Sequence, residues 1–181
     1  TDAGHIKPYT VGFILGPCLN ATGRLDTADH ALALFEAQDE SEAARIAGNL
    51  KAMNDSRKEL TLEGVEEAIA QIEEKQLCQD DVLVVYLPDV HESLAGIIAG
   101  RIREKYNKPS FVLTRAEEGV KGSGRSIDAF HMYDEMTKCK QLFTKYGGHK
   151  LAAGVSMPEE NVEEFRRQLN KNSHLTEDDF E

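Results

Sequence analysis

Nowhere in the 181 residues does an apolar run approach the roughly 18 that a membrane-spanning helix needs, and no signal-peptide pattern opens the chain. Cysteine is scarce: Cys18, Cys78 and Cys139 are isolated, odd in number and without a C-x-x-C pair. That pattern excludes a disulfide framework, argues against a zinc site, and reads as reduced, mostly structural thiols in a cytoplasmic protein with no membrane partner. Basic side chains are also short, 21 Lys and Arg against 32 Asp and Glu, for a formal net charge of −11. Nucleic-acid binding leans on Lys and Arg, so the balance argues at first against such a partner. Internal repeats are absent. The chain begins with Thr1 rather than Met, which reads as a fragment or a processed product.

What is present is ordinary for a globular protein: 40% hydrophobic residues, 29% charged, and length for one good core or one compact domain plus an appendage. The charge, however, is unevenly spread. Residues 36–81 carry 13 acidic and 5 basic side chains, and residues 159–181 carry 8 and 3. Residues 100–158 reverse the sign, with 6 acidic and 11 basic. One basic segment in an acidic body suggests a polyanion-facing surface, with a solvated lysine-rich helix face as the plain alternative.

Val11 to Leu15 is short, apolar and β-prone, and Gly16-Pro17 punctuates it, so the pattern predicts a strand followed by a loop, Cys18 to Leu25. Asp26 or Thr27 can cap a helix running through Ala31, Leu34 and Phe35. Ile46, Leu50, Met53, Leu60, Val65, Ile69 and Ile72 then follow a 3.6-residue period, which predicts one long amphipathic helix over 41–77. Val82 to Leu87 reads as a buried strand. Pro88-Asp89-Val90-His91 is the loop after it, and a helix opens at Glu92 or Ser93. Ala95, Gly96, Ala99 and Gly100 give that helix a small-residue face that permits close approach to a sheet. A second strand, Ser110 to Leu113, completes a β-α-β unit. Glu117-Glu118-Gly119 reads as a turn and 120–127 as an extended, glycine-rich stretch. A helix is expected over 134–145 with Gly147-Gly148 as its C-cap, then a strand over 151–157, a helix from Pro158-Glu159 to about Lys171, and a frayed acidic tail.

Three stretches share a composition, small residues around one cation: Asn20-Ala21-Thr22-Gly23-Arg24, Gly122-Ser123-Gly124-Arg125-Ser126 and Gly147-Gly148-His149. Missing side chains expose backbone N–H groups, serine adds a hydroxyl donor, and arginine or histidine adds charge. Donors without acceptors suit a phosphate, so the three together suggest a phosphodiester cradle.

These stretches also carry a family likeness. Tyr146-Gly147-Gly148-His149-Lys150-Leu151-Ala152-Ala153-Gly154 resembles the signature of the DHH-associated domain of the DHH phosphoesterase superfamily. Gly12-Phe13-x-Leu15-Gly16-Pro17-x-x-Asn20-Ala21-x-Gly23-Arg24-Leu25 points within that superfamily to RecJ, the single-strand-specific exonucleases of bacteria. So do Asn54 and Arg57 on the long helix, Gly96-Ile97-Ile98-Ala99, and Lys121-Gly122-Ser123-x-Arg125-Ser126. The likeness runs from about Gly12 to Leu169. The oligoribonuclease and phosphoadenosine-phosphatase branch usually has more glycines before the histidine and lacks the Asn-Ala-x-Gly-Arg-Leu stretch, which alanyl-tRNA synthetases have no reason to carry either.

The resemblance implies the substrate-binding part of a 5′→3′ exonuclease, a hydrolase acting on single-stranded DNA in recombination and repair. Single-strand binding protein and a RecQ-type helicase would be its partners. The implied cofactor, Mn2+ or Mg2+, is held in the family by an N-terminal domain bearing an Asp-His-His motif. Asp29-His30 is followed here by Ala31, so no metal ligand is assigned in this chain and the fragment alone is expected to be inactive. Carried over, Ser123 and Arg125 would take the 5′-terminal phosphate, and Arg24 the backbone or first bases, with Asn20 and Ser126 as further substrate contacts. His149, with the amides of Gly147 and Gly148, would act catalytically on the scissile phosphate. Where RecJ proteins often show Trp-His-x-Gly, this chain has Val90-His91-Glu92-Ser93, which leaves the role of His91 open. The alternatives are a stand-alone module for single strands or nucleotides, and a fragment of the oligoribonuclease and phosphatase branch. The expected fold is α/β, a mixed sheet of about five strands flanked by helices and preceded by a long connecting helix. The expected domains are 1–78, with the N-terminal loop and long helix, 79–172, the substrate-binding domain, and 173–181, the acidic tail.

Overall fold

Hydrophobic spacing alone would make a helix of the acidic stretch after residue 36, and it does: α4, Glu40–Glu74, is 35 residues long. In the computed structural model, which describes residues 6–25 and 28–180, three helical segments precede it. These are α1 (Pro8–Thr10), α2 (Gly16–Leu25) and α3 (Asp29–Glu36), with a π-helical turn, Val11–Leu15, joining the first two. The strand expected at Val11–Leu15 is therefore not formed, and the expected loop after it is α2. Proline explains both. Pro8 sits in the first turn, where its fixed φ suits a helix start. Pro17 lacks an N–H, and the wider π turn just before it accommodates that gap, with the Gly16 N–H reaching back to the Val11 carbonyl. The expected cap at Asp26 or Thr27 lies outside the described residues.

The chain divides into two compact units, Thr1–Leu60 and Thr61–Glu181, the division falling inside α4. In the first unit Ala21, Thr22, Ile46, Leu50 and Asn54 are buried, whereas Phe13 and Phe35 remain exposed.

The second unit is built on a five-stranded mixed sheet. Its strands are β1 (Leu83–Tyr86), β2 (Ser110–Arg115), β3 (Val120–Arg125), β4 (Lys145–His149) and β5 (Ala152–Met157), in the order β1-β2-β3-β5-β4. β1 and β2 pair in parallel across helix α5, Ala95–Tyr106, as the β-α-β reading requires. All other pairs are antiparallel. Gly119, at φ +69, makes the tight β2–β3 turn. On one face Phe111, Leu113, Met132, Met136, Val155 and Phe165 form a core with helices α6 (Met132–Thr137) and α7 (Val162–Asn172). On the other, Leu83, Val85 and Val112 pack against Ile98 and Ile102 of α5 and against Ala68 and Ile72 of α4. Burying each such side chain stabilises the fold by about 1.5–3 kcal/mol.

Two expectations fail here. The helix expected over 134–145 stops at Thr137, a 3₁₀ turn covers Lys140–Leu142, and Lys145–His149 is strand β4. Pairing with β5 overrides local helix propensity, and Gly147-Gly148 lie inside that strand rather than capping a helix. Up to Phe180 the acidic end, expected to be frayed, is ordered. Glu177–Phe180 forms a 3₁₀ turn, Phe180 packs against the first core, and the Lys108 ammonium sits 4.6 Å from its ring.

The outer edge of β1 is closed by two amide side chains. Asn170 of α7 accepts from the Val82 N–H (2.9 Å) and donates to the Val82 carbonyl (3.0 Å). Gln71 of α4 does the same at Tyr86, at 3.1 and 3.0 Å. Edge strands left unpaired invite association, and these clamps satisfy the edge locally. Replacing Asn170 by alanine should lower the unfolding free energy by about 1–3 kcal/mol, because two buried backbone groups lose their partners. Urea denaturation of the two proteins measures this; a midpoint unchanged from the unsubstituted chain would show the clamp to be dispensable.

Candidate functional site

Strand pairing puts the residues of β3, β5 and β4 into rows. Lys121 is in register with Ser156, and Ser156 with Lys145. One step on, Ser123, Gly154 and Gly147 align, and beyond them Arg125, Ala152 and His149. Alternate residues of a strand share a face, so these nine positions form one patch, three strands wide. The intervening residues, Val120, Ala153, Val155 and Met157, belong to the core on the opposite face. Neighbouring strands lie roughly 4.8 Å apart, so the patch spans about 10 Å from β3 to β4.

Its corners are Lys121, Lys145, Arg125 and His149, with no carboxylate among the nine positions. The centre is bare: Gly147 and Gly154 are exposed, and a Cβ built on Gly147 would meet nothing within 4 Å. α5 packs on β2 and β3, and a groove of about 350 Å³ opens over Gly154 at the Lys121 and Lys145 end of the patch, with Ser93 and Glu92 on its rim; Arg125 and His149 lie outside its lining. Glu92 pairs with Lys121 at 3.0 Å. A second cavity, of about 870 Å³, shares Lys121, Ser156 and Lys145 and carries Glu117, Glu118, Glu159 and Glu160 beyond the ends of the strands. The patch thus has donors along both outer strands, one carboxylate on the groove's rim and further carboxylates past one end. Such a surface holds an anion by charge and by hydroxyl and ring N–H donors.

His149 is oriented by its own turn. The Leu151 N–H donates to His149 Nδ1 at 3.2 Å, which leaves Nε2 as the ring's donor in the neutral form. Arg125 is half-buried against α5, with Nη1 donating to the Gly124 carbonyl at 2.7 Å.

Of the residues named from the sequence, Ser123, Arg125, Gly147 and His149 come together on this face. Gly148, at φ +154, shapes β4 beside them; a Cβ there would crowd Ala153 and the Ala152 carbonyl. Ser126 is not part of it: its buried hydroxyl donates to the Phe130 carbonyl at 2.7 Å. Asn20 and Arg24 lie one helical turn apart on α2 in the other unit, Asn20 exposed and Arg24 half-buried. Gly122 and Gly124 act differently from the sequence reading. Their missing side chains make room for the core, since a Cβ on Gly124 would lie 2.5 Å from Met132 Sδ and 2.6 Å from the Phe111 ring. Sequence reasoning missed Lys121, Lys145 and Ser156; the signal was alternation along β3, β4 and β5 once those strands were recognised. His91 caps the 3₁₀ turn Glu92–Leu94, its Nδ1 lying 2.7 Å from Ser93 Oγ.

Among the described residues no group of three or more His, Cys, Asp or Glu side chains could hold a metal ion. The Lys121, Lys145 and Arg125 corners of the patch repel one. Cys139 is buried, and burial pushes its thiol up to about 11, so it stays protonated and inert. No helix of the described residues is long and apolar enough to cross a membrane.

The chain has known relatives. Residues 79–173 match the DHHA1 domain family. The chain is 35% identical over 183 residues to the single-stranded-DNA-specific exonuclease RecJ of Bacillus subtilis, covering 99% of this chain and 23% of that protein. It is 36% identical to RecJ of Escherichia coli, over 93% of this chain and 30% of that one. The chain thus spans less than a third of these curated relatives. Among solved structures, RecJ of Thermus thermophilus in complex with Mg2+ superposes with a TM-score of 0.80 at 29% identity, over 91% of this chain and 26% of that one. An exonuclease RecJ bound to manganese gives 0.83 at 28%, over 96% and 43%.

Proposed function

The chain belongs to the DHHA1 domain family, and from that premise we propose that it is the substrate-gripping part of a RecJ-type exonuclease that degrades single-stranded DNA from the 5′ end. The observation that carries this reading is the register of β3, β5 and β4, which sets three cations and the His149 ring around a glycine floor. A phosphodiester chain laid over that floor meets donors on both sides and no side chain beneath it. Ser123 and Arg125 take the terminal phosphate. His149 Nε2, with Gly147 and Gly148, faces the scissile phosphate and stabilises charge developing on its oxygens. Asn20 and Arg24 contribute further backbone contacts.

RecJ relatives have been solved with Mg2+ and with Mn2+. The described residues of this chain do not fit such an ion, because the patch is built of donors and cations. In this proposal a divalent metal that activates water belongs to a part of the enzyme carrying the Asp-His-His motif. The proposed setting is cytoplasmic recombination and repair, with single-strand binding protein and a RecQ-type helicase as partners on family likeness.

The test uses the 181-residue chain, manganese and a 5′-labelled oligothymidylate. Anisotropy should show weak binding that falls steeply with salt, because contacts to phosphates release counterions. No mononucleotide should be released. Binding indifferent to salt would overturn the phosphate-gripping role. Chelator-sensitive release that His149→Ala or Asp89→Ala reduces would overturn the assignment of the metal to another part of the enzyme.

A further inference from the structure

Helix α5 brings its small-residue face against the sheet where Arg125 lies. A Cβ built on Gly96 would stand 2.6 Å from Arg125 Nη2 and 3.3 Å from Cζ, with Ser123 Cβ at 3.5 Å. No ordinary contact is that short, so Arg125 occupies space that only a glycine leaves open. One turn along, Gly100 is different: its Cβ would meet Arg125 Cγ at 4.0 Å, ordinary van der Waals contact. The guanidinium is thereby fixed from two sides, by the Gly96 backbone and by the Gly124 carbonyl that accepts from Nη1.

We propose that Gly96 is a positioning residue for the anion site, a seat in α5 that sets where Arg125 presents its guanidinium beside Ser123. The inference rests on the reading of Arg125 as the contact to a terminal phosphate, and adds what aims it. A planar fork recognises a phosphate by paired, directed N–H donors, so a shift of about 1 Å spoils the match while leaving the charge in place. The crowded atoms are the far end of a long, flexible side chain, so the fold accommodates alanine at 96 by moving Arg125. Alanine also favours the helix over glycine by up to about 1 kcal/mol. Folding stability and phosphate reading should therefore move in opposite directions, which a merely structural glycine would not do.

The test compares Gly96→Ala, Gly100→Ala, Arg125→Ala and the Gly96→Ala/Arg125→Ala double variant in the full 181-residue chain. Affinity is read by anisotropy for oligothymidylates bearing a 5′-phosphate or a 5′-hydroxyl, and melting temperature in parallel. Gly96→Ala should melt no lower than the unsubstituted chain yet bind the 5′-phosphorylated strand about tenfold more weakly, with a smaller loss for the 5′-hydroxyl strand. Gly100→Ala should stay within about twofold on both strands, because its methyl group fits. In the double variant, Gly96→Ala should add nothing to Arg125→Ala. Equal losses on both strands for Gly96→Ala, additive losses in the double variant, or unchanged affinity would overturn the seat. No loss in Arg125→Ala would instead overturn the phosphate contact on which the seat depends.

Discussion

Arg125→Ala is expected to weaken binding of 5′-phosphorylated single strands by about ten- to a hundredfold, and of 5′-hydroxyl strands by less. A charge-assisted hydrogen bond contributes roughly 1.5–3 kcal/mol, and a bidentate fork adds directional demand that no neighbour can replace. Arg125 lies on the open face with Ser123 two residues before it on the same strand, so loss of the guanidinium leaves a hydroxyl without its charged companion. The side chain is half-buried against α5, and its removal exposes the Gly96 seat. Titration of the two strands side by side is the decisive measurement. Equal losses would mean that Arg125 acts through general charge and does not read the terminal phosphate.

A carboxylate on the floor should do more harm than the loss of any one corner. Gly154→Glu adds a side chain at the centre of the patch, where the nearest atom to a new Cβ is the Gly122 carbonyl oxygen at 3.9 Å. There is room for it, and β5 remains paired on both sides, so the protein should fold with little change in melting temperature. The new charge would sit among Lys121, Lys145, Arg125 and His149 and compete for the donors meant for phosphate. It would also repel the polyanion directly. Binding of single strands should fall at least about a hundredfold whatever the 5′ group, the lower end of what losing two charge-assisted contacts costs. Gly154→Gln is the matched neutral substitution and separates bulk from charge. Full retention of binding in Gly154→Glu would show that strands do not cross this floor.

The second unit was legible wherever local pattern and final environment agree. The apolar run before Tyr86, the small residues of α5 and the glycine turn at Gly119 each predicted their element. The long acidic helix did so through its periodicity. The first unit and the glycine-histidine strand were misread for related reasons. Val11–Leu15 has the composition of a strand, but Pro8 starts a helix there and a π turn carries it to Pro17. Gly147-Gly148 looked like a helix stop because two glycines end helices. What places them in β4 is β5, a partner that local propensity does not consult. The site was half legible. Ser123, Arg125 and His149 stood out by residue type, whereas Lys121, Lys145 and Ser156 join them only through pairing register. The glycines flanking Ser123 were read as exposing donors to a phosphate, whereas it is the Phe111 ring and Met132 that forbid a side chain at Gly124.

The amide clamps on β1 bind the history of the chain into its sheet. Gln71 reaches Tyr86 from 15 residues upstream, while Asn170 reaches Val82 from 88 residues downstream, so one strand is finished by side chains from far apart in the sequence. During synthesis β1 would wait, one side unsealed, until α7 has emerged and docked. Contacts so distant in sequence slow folding, because the loop must close before the bond is gained. A truncation that removes α7 would strip Phe165 and Leu169 from the core as well as the partner from Val82, and should produce a protein prone to self-association through both an apolar face and an open stretch of strand edge.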